Sequence, residues 1–163
     1  MMSKKIFAIC SIFCFCLMIF TATAFAKETQ IVGGMTADIP ADYALDEQDE
    51  DSITFTAEDG AIININYLKL ENGEQLTKEI KEELAQEVCN DKDIKVFNQG
   101  NETIGKKSVY VIKGNMEIEG ILFTTYIYLF QYKNNILVIV GGCLPKDINT
   151  KEKTFKRVIE TIK

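Results

Sequence analysis

A short run of residues with no polar face is the feature that most constrains this fold. Residues 136–140 read Ile-Leu-Val-Ile-Val, and two glycines follow them. Successive side chains of a strand point to opposite faces of its sheet, so this run predicts a central strand that is buried on both sides. The sheet must therefore be covered by a further layer on each face.

Two segments with apolar side chains at helical spacing can supply these layers. The first is expected to begin at Asn72, with Gln75 in a capping-box arrangement, and to end near Asn90. The second begins near residue 149. Their apolar stripes consist of Leu76, Ile80, Leu84 and Val88 in the first helix, and of Phe155, Val158, Ile159 and Ile162 in the second. We expect the two helices to lie on opposite faces of the sheet.

The remaining pattern predicts an antiparallel sheet of about six strands. Residues 52–57 and 61–70 alternate apolar and polar side chains around a Glu-Asp-Gly turn, which is typical of a hairpin. Further strands are predicted at residues 93–98, 106–113, 121–132 and 136–140. The chain is therefore predicted to be an α+β protein with the order β-β-α-β-β-β-β-α, an α/β/α sandwich.

The first 26 residues have the three-part layout of a secretory signal peptide. Lys4 and Lys5 precede an apolar run, and Ala24 and Ala26 stand at the −3 and −1 positions of an A-x-A cleavage site. We expect cleavage after Ala26 and a secreted or envelope-associated mature protein without a membrane segment. An uncleaved leader that anchors the chain is the alternative, because the segment is about long enough to span a bilayer.

The mature chain is predicted to be one domain with an N-terminal extension. Residues 27–51 are expected to form a loose lead-in, a short strand at residues 36–39 and an acidic surface loop at residues 42–51. Residues 52–163 then form the single α+β domain. The small share of Arg beside much Lys, Ile and Asn indicates an AT-rich bacterial genome.

Several stretches of this pattern resemble the PsbP-like and Mog-like fold family. They are the Ile-Pro-x-x-Tyr entry at residues 39–43, the Phe-x-x-x-Asp-Gly hairpin at residues 55–60, the strands at residues 126–142 and the element order. The family includes photosystem II extrinsic proteins, the Ran-binding Mog proteins and bacterial secreted proteins of unknown role. The resemblance implies the fold and a tendency to bind a partner, and no ligand-binding residue of the family maps onto this chain.

Charge and composition exclude several classes of function. The net charge is −6, and removal of Lys4 and Lys5 with the leader makes it about −8, which is unsuitable for binding nucleic acid. Because the chain has no histidine, it has no Ser-His-Asp triad, Cys-His pair or His-ligated zinc. The acidic residues of segment 46–51 fit a solvated loop better than a calcium site. We expect no metal and no cofactor.

Two cysteines remain after the leader, Cys89 and Cys143. In an oxidising compartment they could form a disulfide, and the alternative is two separate buried thiols. Cys143 has Lys146 nearby but no base to activate it as a nucleophile.

Tyrosines on one face of the strand at residues 121–132 are the candidate binding residues. Tyr126, Tyr128 and Tyr132 share that face, and tyrosine offers apolar area together with a polar tip. The alternative is that these rings pack beneath a helix, with the hydroxyl groups reaching the rim.

The sequence predicts a non-catalytic binding or accessory module whose partner is an unknown protein or small ligand. One alternative is a carrier that holds a small apolar ligand between sheet and helix, which would require a deep apolar cavity. Another is a carboxylate-dependent hydrolase, which needs two acids in a cleft with at least one shifted pKa. The paired acids Glu79, Glu82 and Glu83 are expected on the solvated face of the first helix.

Overall fold

The computed structural model describes residues 26–70, 75–91 and 93–163. Residues 1–25 of the signal peptide predicted at residues 1–26 lie outside the described residues, and so does the predicted helix cap at Asn72.

The described chain has nine strands and two α-helices. The strands are β1 (Lys27–Gln30), β2 (Thr36–Ile39), β3 (Tyr43–Gln48), β4 (Ser52–Ala57), β5 (Ile62–Lys69), β6 (Lys95–Ile104), β7 (Lys107–Ile118), β8 (Ile121–Tyr132) and β9 (Asn135–Cys143). The helices are α1 (Lys78–Asp91) and α2 (Ile148–Thr161). β1 and β2 form a small antiparallel sheet, and the other strands form a seven-stranded sheet in the order β3-β4-β5-β9-β8-β7-β6. The α+β class is confirmed.

The central strand predicted from residues 136–140 is β9, which is the fourth of the seven strands. Leu137 and Ile139 pack on one face of the sheet with α2, which we call the α2 face. Ile136, Val138 and Val140 pack on the other face with α1, which we call the α1 face. The two helices cover opposite faces, as their apolar stripes predict.

The segment before residue 52 is part of the domain, which corrects two predictions. Residues 42–51 were expected to form a loop, but Tyr43–Gln48 is strand β3, which pairs antiparallel with β4. An edge strand tolerates this acidic stretch because its outer side faces water, while the buried Tyr43 anchors its start. Residues 27–35 are not a loose lead-in, because Ile31, Val32 and Met35 are buried in the same core as α2.

These N-terminal residues also explain why the sheet exceeds the six predicted strands. β3 adds an edge to the large sheet, and β2 joins the chain terminus, where Thr36 and Lys163 exchange two backbone hydrogen bonds of 2.9 and 3.1 Å. From residue 52 onward the elements follow the predicted order, and three strands precede them.

The hairpin of β7 and β8 extends beyond both of its neighbours in the sheet. β9 ends at Cys143, opposite Thr124, and β6 begins at Lys95, opposite Asn115, so the hairpin tip pairs only with itself. The tip turns at Glu119 and Gly120, whose φ angles of 52° and 79° are those of a two-residue hairpin turn. Its apolar side chains at Ile118, Ile121 and Leu122 are exposed.

Candidate functional site

A groove on the α1 face of the sheet is the candidate functional site. One half is a cavity of about 540 Å³ next to the β7–β8 hairpin, and the other is a cavity of about 410 Å³ beside α1. Both halves are lined by Asn64, Asn66 and Val140, so they form one continuous groove, which we call the open groove.

The open groove exists because one helix is too narrow to cover this face. Strands lie about 4.8 Å apart, so seven strands span about 29 Å, whereas a helix with its side chains is about 10 Å wide. α1 packs over side chains of β7, β8 and β9, including Ile112, Leu129 and Val138. The α1 face of β3, β4 and β5 is left without a helix above it in the described chain.

Gly142 deepens the open groove. It lies on the α1 face between Ile62 of β5 and Thr125 of β8, and it lines the larger cavity. A Cβ atom built on Gly142 would have no heavy atom within 4 Å. The missing side chain therefore leaves a hollow in the floor of the groove.

One wall of the open groove is polar and ordered by hydrogen bonds. The Asn64 side-chain amide donates to Ser52 Oγ at 3.2 Å and to Thr54 Oγ1 at 2.9 Å. The Asn66 amide donates in turn to Asn64 Oδ1. Ser52 and Thr54 act as acceptors in these bonds, so their hydroxyl protons remain available for a ligand's acceptor atoms.

The opposite wall is apolar. It is formed by Met116, Ile118 and Phe123 of the projecting hairpin, and the adjacent floor of the groove is apolar at Ile62 and Val140. Ile118 is 41% exposed, and Leu68, at the far end of the groove, is 40% exposed. Exposed apolar side chains beside a polar wall make this groove a candidate interaction surface.

The charged side chains that line the open groove are both acidic. Glu47 lines the cavity beside the hairpin, and Glu87 of α1 lines the other cavity. No Lys or Arg is among the described lining residues of either half. The groove therefore disfavours anionic ligands and favours neutral or cationic ones.

The three tyrosines predicted from the sequence lie on the opposite face. Tyr126 and Tyr128 are 1% and 0% exposed, and Tyr132 is half-buried against the same core. Phe155 of α2 packs against the Tyr126 ring at a centroid distance of 5.9 Å. The apolar stripe of α2 covers β8, so Tyr126 and Tyr128 are core residues and offer no surface to a partner. This is the alternative in which the rings pack beneath a helix.

A half-buried network of charged side chains connects α2 to Tyr126. The Tyr126 hydroxyl donates to Glu152 Oε2 at 3.1 Å, and Lys113 and Lys156 each place Nζ 2.9 Å from Glu152 Oε1. Burial opposes ionisation of Glu152, but the hydrogen bonds from Lys156 and Lys113 hold its pKa below the ordinary value. Burial, followed by the Glu152 charge, raises the pKa of Tyr126 and of Tyr128.

Cys89 and Cys143 are both free thiols, so the disulfide alternative is not formed. Cys89 lies on α1 and packs on the α1 face, whereas Cys143 is buried on the α2 face. The sheet stands between them. Burial, with Asp147 nearby, raises the pKa of Cys143 to about 11, which leaves it without the thiolate a nucleophile needs.

The described acids form no metal-binding cluster, and those with clearly shifted pKa values all have a lowered pKa. Among the residues that the structure describes, no three Cys, Asp or Glu side chains converge on a common point suitable for a metal ion. Glu28, Asp59, Glu79 and Glu152 have clearly shifted pKa values, and in all four the pKa is lowered. A carboxylic general acid needs the opposite shift.

Two features of the sequence indicate the open groove, although the sequence analysis used them only to predict a strand. Asn64 and Asn66 alternate with buried isoleucines, which indicates a strand with one polar face, yet β5 lies inside the sheet. Polar side chains on an inner strand indicate a sheet face that no helix covers. Only the strand order shows that Gly142 and the β7–β8 hairpin lie beside these asparagines.

Comparison with known proteins gives similarity to solved structures alone. No family model matches the chain, and no curated protein is similar to it. The solution structure of cyanobacterial PsbP (CyanoP) from Synechocystis has a TM-score of 0.66 and 8% identity, over 88% of this chain and 94% of that one. The Ran-binding protein Mog1p of Saccharomyces cerevisiae has a TM-score of 0.61 and 10% identity, over 86% and 96%. The chain has the PsbP/Mog-like fold.

A protein of Bacteroides thetaiotaomicron also has this fold, with a TM-score of 0.62 and 19% identity over 85% of the present chain. The present chain spans about half, 48%, of the length of that protein. At these identities the similarity shows the PsbP/Mog-like fold and no shared activity. Within the described residues, neither helix has the length and hydropathy needed to cross a bilayer.

Proposed function

We propose that this protein is a secreted or envelope-associated, non-catalytic binding module whose partner docks in the open groove. The observation that carries the proposal is the asymmetry of the sheet. Its α2 face is closed by α2 and the N-terminal segment, whereas its α1 face keeps a groove lined by exposed apolar side chains and oriented amides. A face left open in this way is suited to a partner that completes the missing layer.

The chemistry of the described residues supports binding over catalysis. The groove contains one carboxylate in each half, and the chain has no histidine that could act as a base. The Ran-binding role of Mog1p is consistent with a protein partner for this fold. The secreted location is supported by the signal-peptide pattern of the first 26 residues.

A carrier of small apolar ligands is a weaker candidate. Such a carrier encloses its ligand in a cavity that is apolar on most sides. The open groove is exposed to solvent along its length, and one wall consists of Ser52, Thr54, Asn64 and Asn66. This shape fits a larger partner that covers the groove from above.

Site-specific photo-crosslinking in the producing cells tests the proposal. A photoreactive amino acid is placed at Leu68 or Ile118 in the open groove, and at Leu45 as the matched control. Leu45 is 55% exposed, but it pairs with Phe55 and therefore lies on the α2 face. We expect a discrete crosslinked product from Leu68 and Ile118 and none from Leu45.

A groove-filling substitution sharpens the result. Gly142→Leu should abolish the crosslinks, because the new side chain enters the hollow in the groove floor. Products of equal yield from all three positions, or no product from either groove position, would refute docking in the open groove.

A further inference from the structure

The open groove also indicates what kind of partner it takes. On the basis of the proposed function, we infer that it receives an amphipathic helix of a partner protein, with an apolar stripe and with Lys or Arg on its polar face. Three features of the described residues carry this inference: the backbone of the sheet, the dimensions of the groove and its charge.

The first feature is that the floor of the groove offers no free backbone groups. β4, β5 and β9 form the floor, and β4 and β9 each pair with β5 in continuous antiparallel register. An extended segment lying on this face would find few partners for its own backbone N–H and C=O groups. A helix satisfies these groups internally and needs only side-chain contacts. α1 already packs on this face in that way, through Leu84 and Val88.

The second feature is the size of the groove. Ile62 lines one half and Leu68 the other, and they are six residues apart on β5. At about 3.3 Å per residue the groove is about 20 Å long. A helix that rises 1.5 Å per residue fills this length with about 13 residues, close to the 14 residues of α1.

The third feature is the acidic charge in both halves of the groove. Glu47 lines only the half beside the hairpin, and Glu87 lines only the half beside α1. Because no basic side chain balances them in the described lining, a docked helix gains from Lys or Arg on its polar face. Such exposed charges contribute mainly to specificity and to the rate of association.

Synthetic peptides test this inference on protein recovered from cells that express the full-length chain. Three fluorescent 14-residue peptides share one leucine stripe. The first has Lys on its polar face, the second has Glu there, and the third is the Lys peptide with two central prolines that prevent a helix. We expect the Lys peptide to bind at least tenfold more tightly than either of the others, measured by fluorescence anisotropy.

Two pairs of variants tie this binding to the open groove. Gly142→Leu should weaken binding of the Lys peptide at least tenfold. Gly100→Leu should leave this binding unchanged, since Gly100 on β6 also has space for a Cβ but lies outside the groove. Glu47→Lys combined with Glu87→Lys should remove the preference for the Lys peptide. Glu58→Lys combined with Glu160→Lys, which changes the net charge equally outside the groove, should preserve it.

The outcomes separate this inference from the proposed function. If crosslinks form at Leu68 and Ile118 but the Lys, Glu and proline peptides bind alike, the helical basic partner is refuted and docking in the groove stands. Lys-peptide binding that Gly142→Leu leaves unchanged is a nonspecific attraction to an acidic protein and also refutes the inference. Absence of groove crosslinks refutes both.

Discussion

Gly141 and Gly142 are neighbours in β9 that face opposite sides of the sheet, and the same substitution at each should have opposite effects. A Cβ atom at Gly141 would lie 2.6 Å from Cδ2 and 2.8 Å from Cγ of Phe155, whose ring is fully buried. A Cβ atom at Gly142 would meet no heavy atom within 4 Å. Gly141→Ala therefore tests the closed α2 face, and Gly142→Ala tests the open groove.

The expected magnitudes follow from packing and backbone entropy. Overpacking a core typically costs about 1–3 kcal/mol, while Ala gains about 0.5–1 kcal/mol over Gly inside a strand. Gly141→Ala should thus lower the free energy of unfolding by about 1–2 kcal/mol. Gly142→Ala keeps only the entropic gain and should raise it by about 0.5–1 kcal/mol. The two variants should differ by about 1.5–3 kcal/mol.

Thermal and urea unfolding of the two variants measure this difference. For a domain of this size, about 1 kcal/mol corresponds to about 3–4 °C in Tm, so the midpoints should differ by about 5–12 °C. Equal destabilisation by both variants would mean that residue 142 does not face open space. A reversed order would mean that β9 is shifted by one residue, since such a slip exchanges the two faces.

Three further predictions concern side chains buried on the α2 face, one of them by comparison with Cys89 on the α1 face. Glu152→Gln should lower the free energy of unfolding by about 1–2 kcal/mol at neutral pH. The pKa of Glu152 is lowered by folding, so the loss of unfolding free energy in Glu152→Gln should be constant above the ordinary pKa of 4.5 and should shrink as the pH falls below it. A loss that does not depend on pH in urea titrations would contradict the charge network around Glu152. Tyr128→Phe should raise the free energy of unfolding by about 0.5–1 kcal/mol, because the buried Tyr128 hydroxyl has no hydrogen-bond partner among the described residues. Tyr126→Phe should lower it by about 1 kcal/mol, because the Tyr126 hydroxyl donates to Glu152. Equal effects of the two variants in urea titrations would refute this difference between the two hydroxyl groups. Iodoacetamide at pH 8 should modify Cys89 at least tenfold faster than Cys143, and equal rates by peptide mass spectrometry would contradict the burial and raised pKa of Cys143.

Local patterns in the sequence were sufficient for the central part of the fold. The unbroken apolar run of residues 136–140 predicts a strand buried on both faces, and the stripe of Phe155, Val158 and Ile159 predicts the helix that covers one of them. These predictions succeed because burial acts on each residue through its immediate periodicity. The acidic segment after Pro40 was predicted wrongly, because exposed acids are compatible with a loop and with an edge strand alike.

The open groove was decided by tertiary structure. Tyr126 and Tyr128 looked suitable for a binding surface, but α2 lies over them, and nothing in the pattern of β8 states which of its faces a helix will cover. Asn64 is far along the chain from Gly142 and Phe123, and the pairing of β5 with β9 brings all three to one side of the sheet. The residues of an element determine that element, whereas a surface built from several elements depends on pairings that no single segment encodes.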